Sequence, residues 1–123
     1  MIVAGVGFRK GTSADEVEEV VRLALAASKV ARIDVLATEV EKAKEPAVAE
    51  VAKRLAVALV TCHASELEGV VVPTPSMRVV IAKGVPSISE ASAIVAAGRN
   101  ARLLGARVAT AGATCALAEG EGR

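Results

Sequence analysis

Apolar positions in this chain fall into short unbroken runs and into spaced series, and the two kinds alternate. Ile2 to Val6 is a short apolar run broken by glycine, the form of a buried strand. Gly5-Val6-Gly7-Phe8-Arg9-Lys10-Gly11-Thr12 then reads as a loop punctuated by glycine. Ser13 precedes Glu16 at capping-box spacing, and Asp15 and Glu16 suit the positive start of a helix. Val17, Val20, Val21 and Leu25 recur at helical spacing with Glu18, Glu19 and Arg22 on the other side, which predicts the first helix. Ile33 to Ala37 predicts a second strand and Thr38 to Glu45 a charged connection. Pro46 fits the first turn of a helix, where its missing N–H is no loss, and that helix is expected to run to about Arg54. Leu55 to Thr61 predicts a third strand.

Strands alternating with helices imply an α/β fold: a single three-layer α/β/α domain around a mostly parallel, mixed sheet. The domain is expected over residues 1–118, with 119–123 as a frayed tail. In the second half, Ala64 to Glu68 fits one helical turn and Val70 to Pro75 an extended link. Ser76 to Lys83 fits a short helix stopped by Gly84, or Met77 to Ile81 a strand. Ser87-Ile88-Ser89-Glu90 is a second capping box, opening a helix that ends at Gly98. Leu103-Leu104 and Ala113 to Leu117 read as closing strands.

Composition narrows the picture. Of the 123 residues 53% are hydrophobic, yet Phe8 is the only aromatic, so the core is expected to consist of Val, Ile, Leu and much Ala. Fifteen Lys and Arg against fourteen acids leave a net charge of +1, without the basic excess or the base-stacking aromatics of a nucleic-acid binder. Cys62 and Cys115 are isolated, apolar in setting, and suggest neither a disulfide framework nor a zinc site. The start of the chain reads as a strand rather than a signal peptide, and no apolar run approaches the roughly 20 residues that span a bilayer. A cytoplasmic protein with no metal and no cofactor is the expectation, with no membrane or nucleic-acid partner.

Candidate chemistry concentrates at Gly5 to Thr12. A strand, glycine loop and helix start present backbone N–H groups and a positive helix end to an anion, and Arg9 and Lys10 add charge there. A tight turn with solvated basic residues explains the same residues equally well. The glycines are spaced one residue too widely for the dinucleotide fingerprint, and Lys10-Gly11-Thr12 is not the order of a P-loop. A nucleotide-binding α/β enzyme, with Glu39 as a ribose-binding acid, is a weaker alternative. Thr61-Cys62-His63 is not a working Cys/His pair, because neighbours on a strand face opposite ways. Ligands of parallel sheets bind beyond the carboxyl ends of the strands, which would bring Arg9, Lys10, Thr38 and Lys42 toward one rim.

These segments together resemble the CobE family and the homologous C-terminal domain of CbiG. Gly5-Val6-Gly7-Phe8-Arg9-Lys10-Gly11-Thr12 is similar to the family's opening motif, and Leu36-Ala37-Thr38, Lys42 and Glu45-Pro46 to its second segment. Pro75-Ser76, Gly84 and Ser87-Ile88-Ser89-Glu90-Ala91 are similar to its third. Leu103-Leu104-Gly105-Ala106-Arg107 and Ala113-Thr114-Cys115-Ala116-Leu117-Ala118 fit its end. Two departures stand out: Phe8, where relatives often carry Cys, and Val108-Ala109-Thr110, where relatives tend to be more polar. The first counts against a covalent thiol mechanism at the loop.

The resemblance implies a role in making the corrin ring of vitamin B12. CbiG opens the δ-lactone of cobalt-precorrin-5A and releases acetaldehyde; the resemblance here covers its C-terminal domain, so a hydrolase-like activity of this kind is expected to call for a separate N-terminal partner. The implied ligand is a precorrin or cobalt-precorrin, whose acetates and propionates call for cations and N–H donors. Gly5, Gly7, Arg9, Lys10, Gly11, Thr12, Ser13, Thr38 and Lys42 are the expected substrate-binding residues. No catalytic residue is assigned: Thr12, Ser13 and Glu16 are nearest, and capping already accounts for the last two. A non-catalytic carrier or accessory protein is the alternative, serving other corrin-pathway enzymes. An exposed Val70-Val71-Val72 segment would call for burial in a homodimer.

Overall fold

A computed structural model describes residues 1–68 and 88–122. Strands are β1 (Ile2–Phe8), β2 (Val35–Glu39), β3 (Ala58–Cys62), β4 (Arg102–Leu103), β5 (Val108–Ala109) and β6 (Ala113–Glu119). Helices are α1 (Ala14–Ser28), α2 (Pro46–Leu55), α3 (Ala64–Glu68) and α4 (Ile88–Ala97). The six strands form one mixed sheet in the order β3-β2-β1-β6-β4, with β5 also paired to β6. The pairs β1–β2 and β2–β3 are parallel, whereas β6 runs antiparallel to β1, β4 and β5.

Period-two alternation along β1 divides the core. Ala4, Val6 and Phe8 face α1 and α2, where they meet Val17, Val20, Val21, Val48 and Val51. Val3 faces the other way, toward Ala91, Ala93, Ala96 and Ala97 of α4 and Leu67 of α3. Each sheet face is therefore covered by helices, which makes the three layers. Ser13 caps α1 by accepting from the Glu16 N–H at 3.2 Å, and Pro46 starts α2 as expected.

The boundaries shift in instructive places. The second strand runs over Val35–Glu39 rather than 33–37, so Thr38 and Glu39 belong to the sheet and not to the connection. The third strand begins at Ala58, because α2 continues through Leu55 and closes on Ala56 in the left-handed conformation (φ 56°). Strand β5 was not legible, since two residues carry no pattern. Residues 119–122, expected to fray, are hydrogen-bonded: Gly120 N–H donates to Met1 O at 3.1 Å and Gly122 N–H to Ala97 O at 2.7 Å. The link at 70–75, the helix or strand within 76–83 and Ser87 of the second capping box lie outside the described residues.

The main correction concerns the glycine loop. Gly5 and Gly7 are strand residues on the α4 side of β1, and the loop itself is only Arg9 to Ser13. A Cβ on Gly5 would stand 2.1 Å from Ser89 O and 2.6 Å from Ala93 N. Gly5 is there so that the helix backbone can lie directly on the strand.

Candidate functional site

The structure separates the residues expected to act together. The Thr38 hydroxyl is buried and donates to Val6 O at 2.8 Å, a link between β1 and β2. Gly11 takes a positive φ of 84°, and its N–H, the donor an anion would need, already meets Glu45 Oε1 at 3.0 Å. The N-termini of α1 and α2 converge beside it on a groove of about 320 Å³ that includes Thr12, Ser13, Glu45 and Glu50. Two carboxylates in this groove repel an anionic ligand. The anion site expected at the start of α1 is thus occupied by the chain's own acids.

A cavity of about 450 Å³ lies on the other side of the β1 end, between Phe8-Arg9, Lys42, Arg107 and the turn from Thr110 to Ala113. Among the described residues its charged lining is Arg9, Lys42 and Arg107, with no acid. Lys42 Nζ lies 5.8 Å from the Phe8 ring centroid, a cation–π contact that keeps the ammonium at the cavity wall. Phe8, Ile88, Ala109 and Ala113 supply apolar surface, and Thr110 and Thr114 supply hydroxyls. Lys10 does not line this cavity and is exposed. Of the expected set, Arg9, Lys42 and Gly7 come together here.

The turn at 110–113 is held from below through Gly112. Its carbonyl accepts from Arg9 N–H at 2.9 Å and from the Thr12 hydroxyl at 3.3 Å. Its N–H donates to Glu16 Oε2 at 2.5 Å, and Thr110 Oγ1 donates to the same oxygen at 3.0 Å. Glu16, placed by sequence in a capping box, reaches forward across the fold instead. A Cβ on Gly112 would come within 2.7 Å of that carboxylate oxygen, so a larger residue there would have to push the Glu16 side chain aside. These bonds fix Arg9 at the cavity rim.

Arg107 and Glu90 are the functional candidates that sequence reasoning missed. Glu90 is buried in the first turn of α4, and its Oε1 lies 3.6 Å from Arg107 Nη1. Burial pushes the Glu90 carboxyl above its ordinary range, and the positive charge of Arg107 opposes that push. In sequence Glu90 stood only as the end of the second capping box, and Arg107 at the end of a segment that fits the family, next to the departure at Val108-Ala109-Thr110. Cys62 and Cys115 are buried, and burial pushes the Cys115 thiol up to about 12, so no thiolate nucleophile arises there. His63 is exposed, one residue past buried Cys62, and its N–H donates to Glu66 Oε1 at 2.9 Å to start α3. Among the described residues, no three His, Cys, Asp or Glu side chains converge as a metal site, and no helix is long and apolar enough to cross a membrane.

Known proteins add to this geometry. The family described as Cobalamin synthesis G C-terminus matches residues 2–118. Protein CobE of Sinorhizobium sp is 35% identical over 121 residues, covering 95% of this chain and 79% of that relative. The crystal structure of cobalamin biosynthesis protein chiG from Agrobacterium tumefaciens str. C58 is similar with a TM-score of 0.78 at 36% identity, over 98% of both chains. That of CobE, a protein from the cobalamin (vitamin B12) biosynthetic pathway, is similar with a TM-score of 0.81 at 26% identity, over 100% of this chain and 92% of that one.

Proposed function

The chain belongs to the CobE and CbiG C-terminal family of cobalamin biosynthesis proteins, and from that premise we propose that its cationic cavity binds a precorrin or cobalt-precorrin. The observation that carries the reading is a cavity that, among the described residues, is lined by three cations, no acid and an apolar wall. A precorrin is a flat macrocycle edged by acetates and propionates. Arg9, Lys42 and Arg107 suit the carboxylates, Arg through paired N–H donors. Phe8, Ile88 and the alanines suit the ring edge, as apolar lining with a few placed polar groups suits small-molecule sites in general.

Binding, for delivery to or protection between other enzymes of the corrin pathway, is favoured over lactone opening by this domain. Hydrolysis needs a nucleophile or a general base facing the ligand. The lining hydroxyls of Thr110 and Thr114 hydrogen-bond within the protein, the first to Glu16 and Ala113 O, the second to Gly7 O. Glu90, with its raised pKa, stands behind Arg107 and does not line the cavity. The nucleotide alternative has lost its loop, because Gly5 and Gly7 lie under α4.

The test is a titration with precorrin-5A and its cobalt form, following ligand absorbance and acetaldehyde together. Saturable binding without acetaldehyde is the expected result. Acetaldehyde release would make the domain itself a hydrolase, and no binding of either form would overturn the reading.

A further inference from the structure

Glu90 is only 6% exposed, yet its Oε1 accepts no hydrogen bond from any described residue. Its nearest described cation is Arg107 Nη1, at 3.6 Å. That separation is too long for a directional bond, so the two are joined by charge. Arg107 lines the cavity, and a guanidinium has five N–H donors spread around a planar fork. One side of it therefore faces the buried acid while the cavity has access to another.

We infer that Glu90 is a resident counter-ion of Arg107, and that a ligand carboxylate seated against Arg107 binds together with one proton, taken from solvent by the Glu90 carboxylate. The inference rests on the reading of the cavity given above. Before binding, Arg107 offsets the Glu90 charge. A ligand carboxylate brings a second negative charge to the same guanidinium, and two carboxylates around one cation in a poorly solvated place favour protonation of the more buried one. The step balances: one ligand anion and one proton enter, Glu90 becomes a neutral acid, and Arg107 keeps its charge. No other bond is made or broken.

The surroundings of Glu90 leave Arg107 as its controlling partner among the described residues. Strand β1 carries no ionisable side chain within Ile2–Phe8. The other elements packed on α4 carry Glu39 on β2, Cys62 on β3, Glu66 on α3, Arg102 on β4 and Glu119 on β6, while Cys115 of β6 faces the opposite side of the sheet. Arg102 is itself paired with Glu119 at 2.9 Å across the strands. Arg9 and Lys42 face the same cavity as Arg107 and act on the ligand.

The consequence is selectivity for free acids. A corrinoid whose arm at Arg107 is an ester or amide brings no second charge and draws no proton. For an acid, the Glu90 midpoint rises on binding, so affinity is greatest below its free-state midpoint and falls as pH rises through the bound-state one. A shift of one unit corresponds to about tenfold in affinity.

The test is titration calorimetry of the intact chain with cobyrinic acid, its acetate and propionate arms free, and with its fully methylated ester. Each is measured between about pH 6 and about pH 8, above the usual carboxylate range of the ligand itself, in two buffers of different ionisation enthalpy. For the acid, the wild type is expected to take up as much as one proton and to lose about tenfold in affinity across its window. The ester should bind without uptake. Glu90→Gln should abolish the uptake, flatten the pH profile and bind the acid at least as tightly as the wild type at the upper pH, while Glu90→Asp should retain uptake. Should Glu90→Gln fail to fold, the carboxyl carbon of Glu90 in the wild type decides by NMR, because its midpoint must rise when the acid is added. Equal heats in both buffers, uptake persisting in Glu90→Gln or an unmoved Glu90 midpoint would overturn the inference alone. No binding of the acid by the wild type would overturn it together with the reading of the cavity.

Discussion

Replacing Gly5 with alanine is the sharpest perturbation available, because sequence and structure assign that residue different jobs. The new methyl would stand 2.1 Å from Ser89 O, 2.6 Å from Ala93 N and 2.9 Å from Ala93 Cβ. Comfortable carbon contacts lie near 3.5 Å, so α4 must withdraw by roughly 1 Å. Two of the three obstacles are helix backbone, which no rotamer change relieves. Retreat would loosen the packing of Ala91, Ala93, Ala96 and Ala97 on the sheet, and a gap of that width forfeits roughly a quarter to a half of each dispersion contact. Ordinary overpacking costs about 1–3 kcal/mol, and this site should reach or exceed the upper end. A loss of about 3 kcal/mol is a large share of the ~5–15 kcal/mol that holds a domain together, and corresponds to a Tm lower by roughly 10 °C. Urea unfolding followed by far-UV circular dichroism measures it. A loss below about 1 kcal/mol would refute the close-approach argument and return Gly5 to the role of a loop residue.

Other consequences are equally checkable. Arg9→Ala should weaken binding of a precorrin about 10- to 100-fold, the worth of a charged hydrogen bond, whereas Lys10→Ala should change it little; equal effects in absorbance titrations would contradict the placement of the cavity. Glu16→Ala should leave Gly112 N–H and Thr110 without their acceptor, costing about 1–3 kcal/mol and speeding amide exchange at Gly112, and unchanged exchange would show that the turn holds itself. Cys115 should resist thiol reagents until the protein unfolds. Because burial lifts its pKa from 9.0 to about 12, its contribution to stability is intact below pH 9.0 and is lost as pH rises toward 12; a Cys115→Ala protein should show a shallower alkaline loss in chemical denaturation, and an identical slope would refute the shift.

Much of the fold was legible because local signals agreed. The alternation in β1, the spacing of Val17, Val20 and Val21 and the proline at the start of α2 each state a local preference that tertiary packing respects. The candidate site was harder, because its logic is long-range. Gly5 looks the same in a loop as in a strand pressed against a helix, and the helix that requires it starts at Ile88. Glu16 matched a capping box, but its partner Gly112 is 96 residues away. Arg9 and Lys42 were expected near one rim because they lie at strand ends, and both line the cavity. Lys10 was carried along by adjacency alone, although it does not line the cavity. Nothing local marked Glu90 and Arg107 as a pair, since a buried charge pair is defined by what surrounds it.

The β1–β6 seam has a consequence for how the molecule comes into being. Seven residue pairs, from Ile2↔Glu119 to Phe8↔Ala113, join the first strand to the last described one at the middle of the sheet. Closing that seam spans roughly three times the chain needed for Val3↔Val35, an extra loop entropy of about 1 kcal/mol. During synthesis β1, β2 and β3 emerge early, while one edge of β1 waits for residues 113–119 to leave the ribosome. Nascent chains shorter than that carry an apolar strand with an open edge, which is the condition that invites pairing with a neighbour. The vulnerable period for this protein therefore ends abruptly, with the arrival of β6.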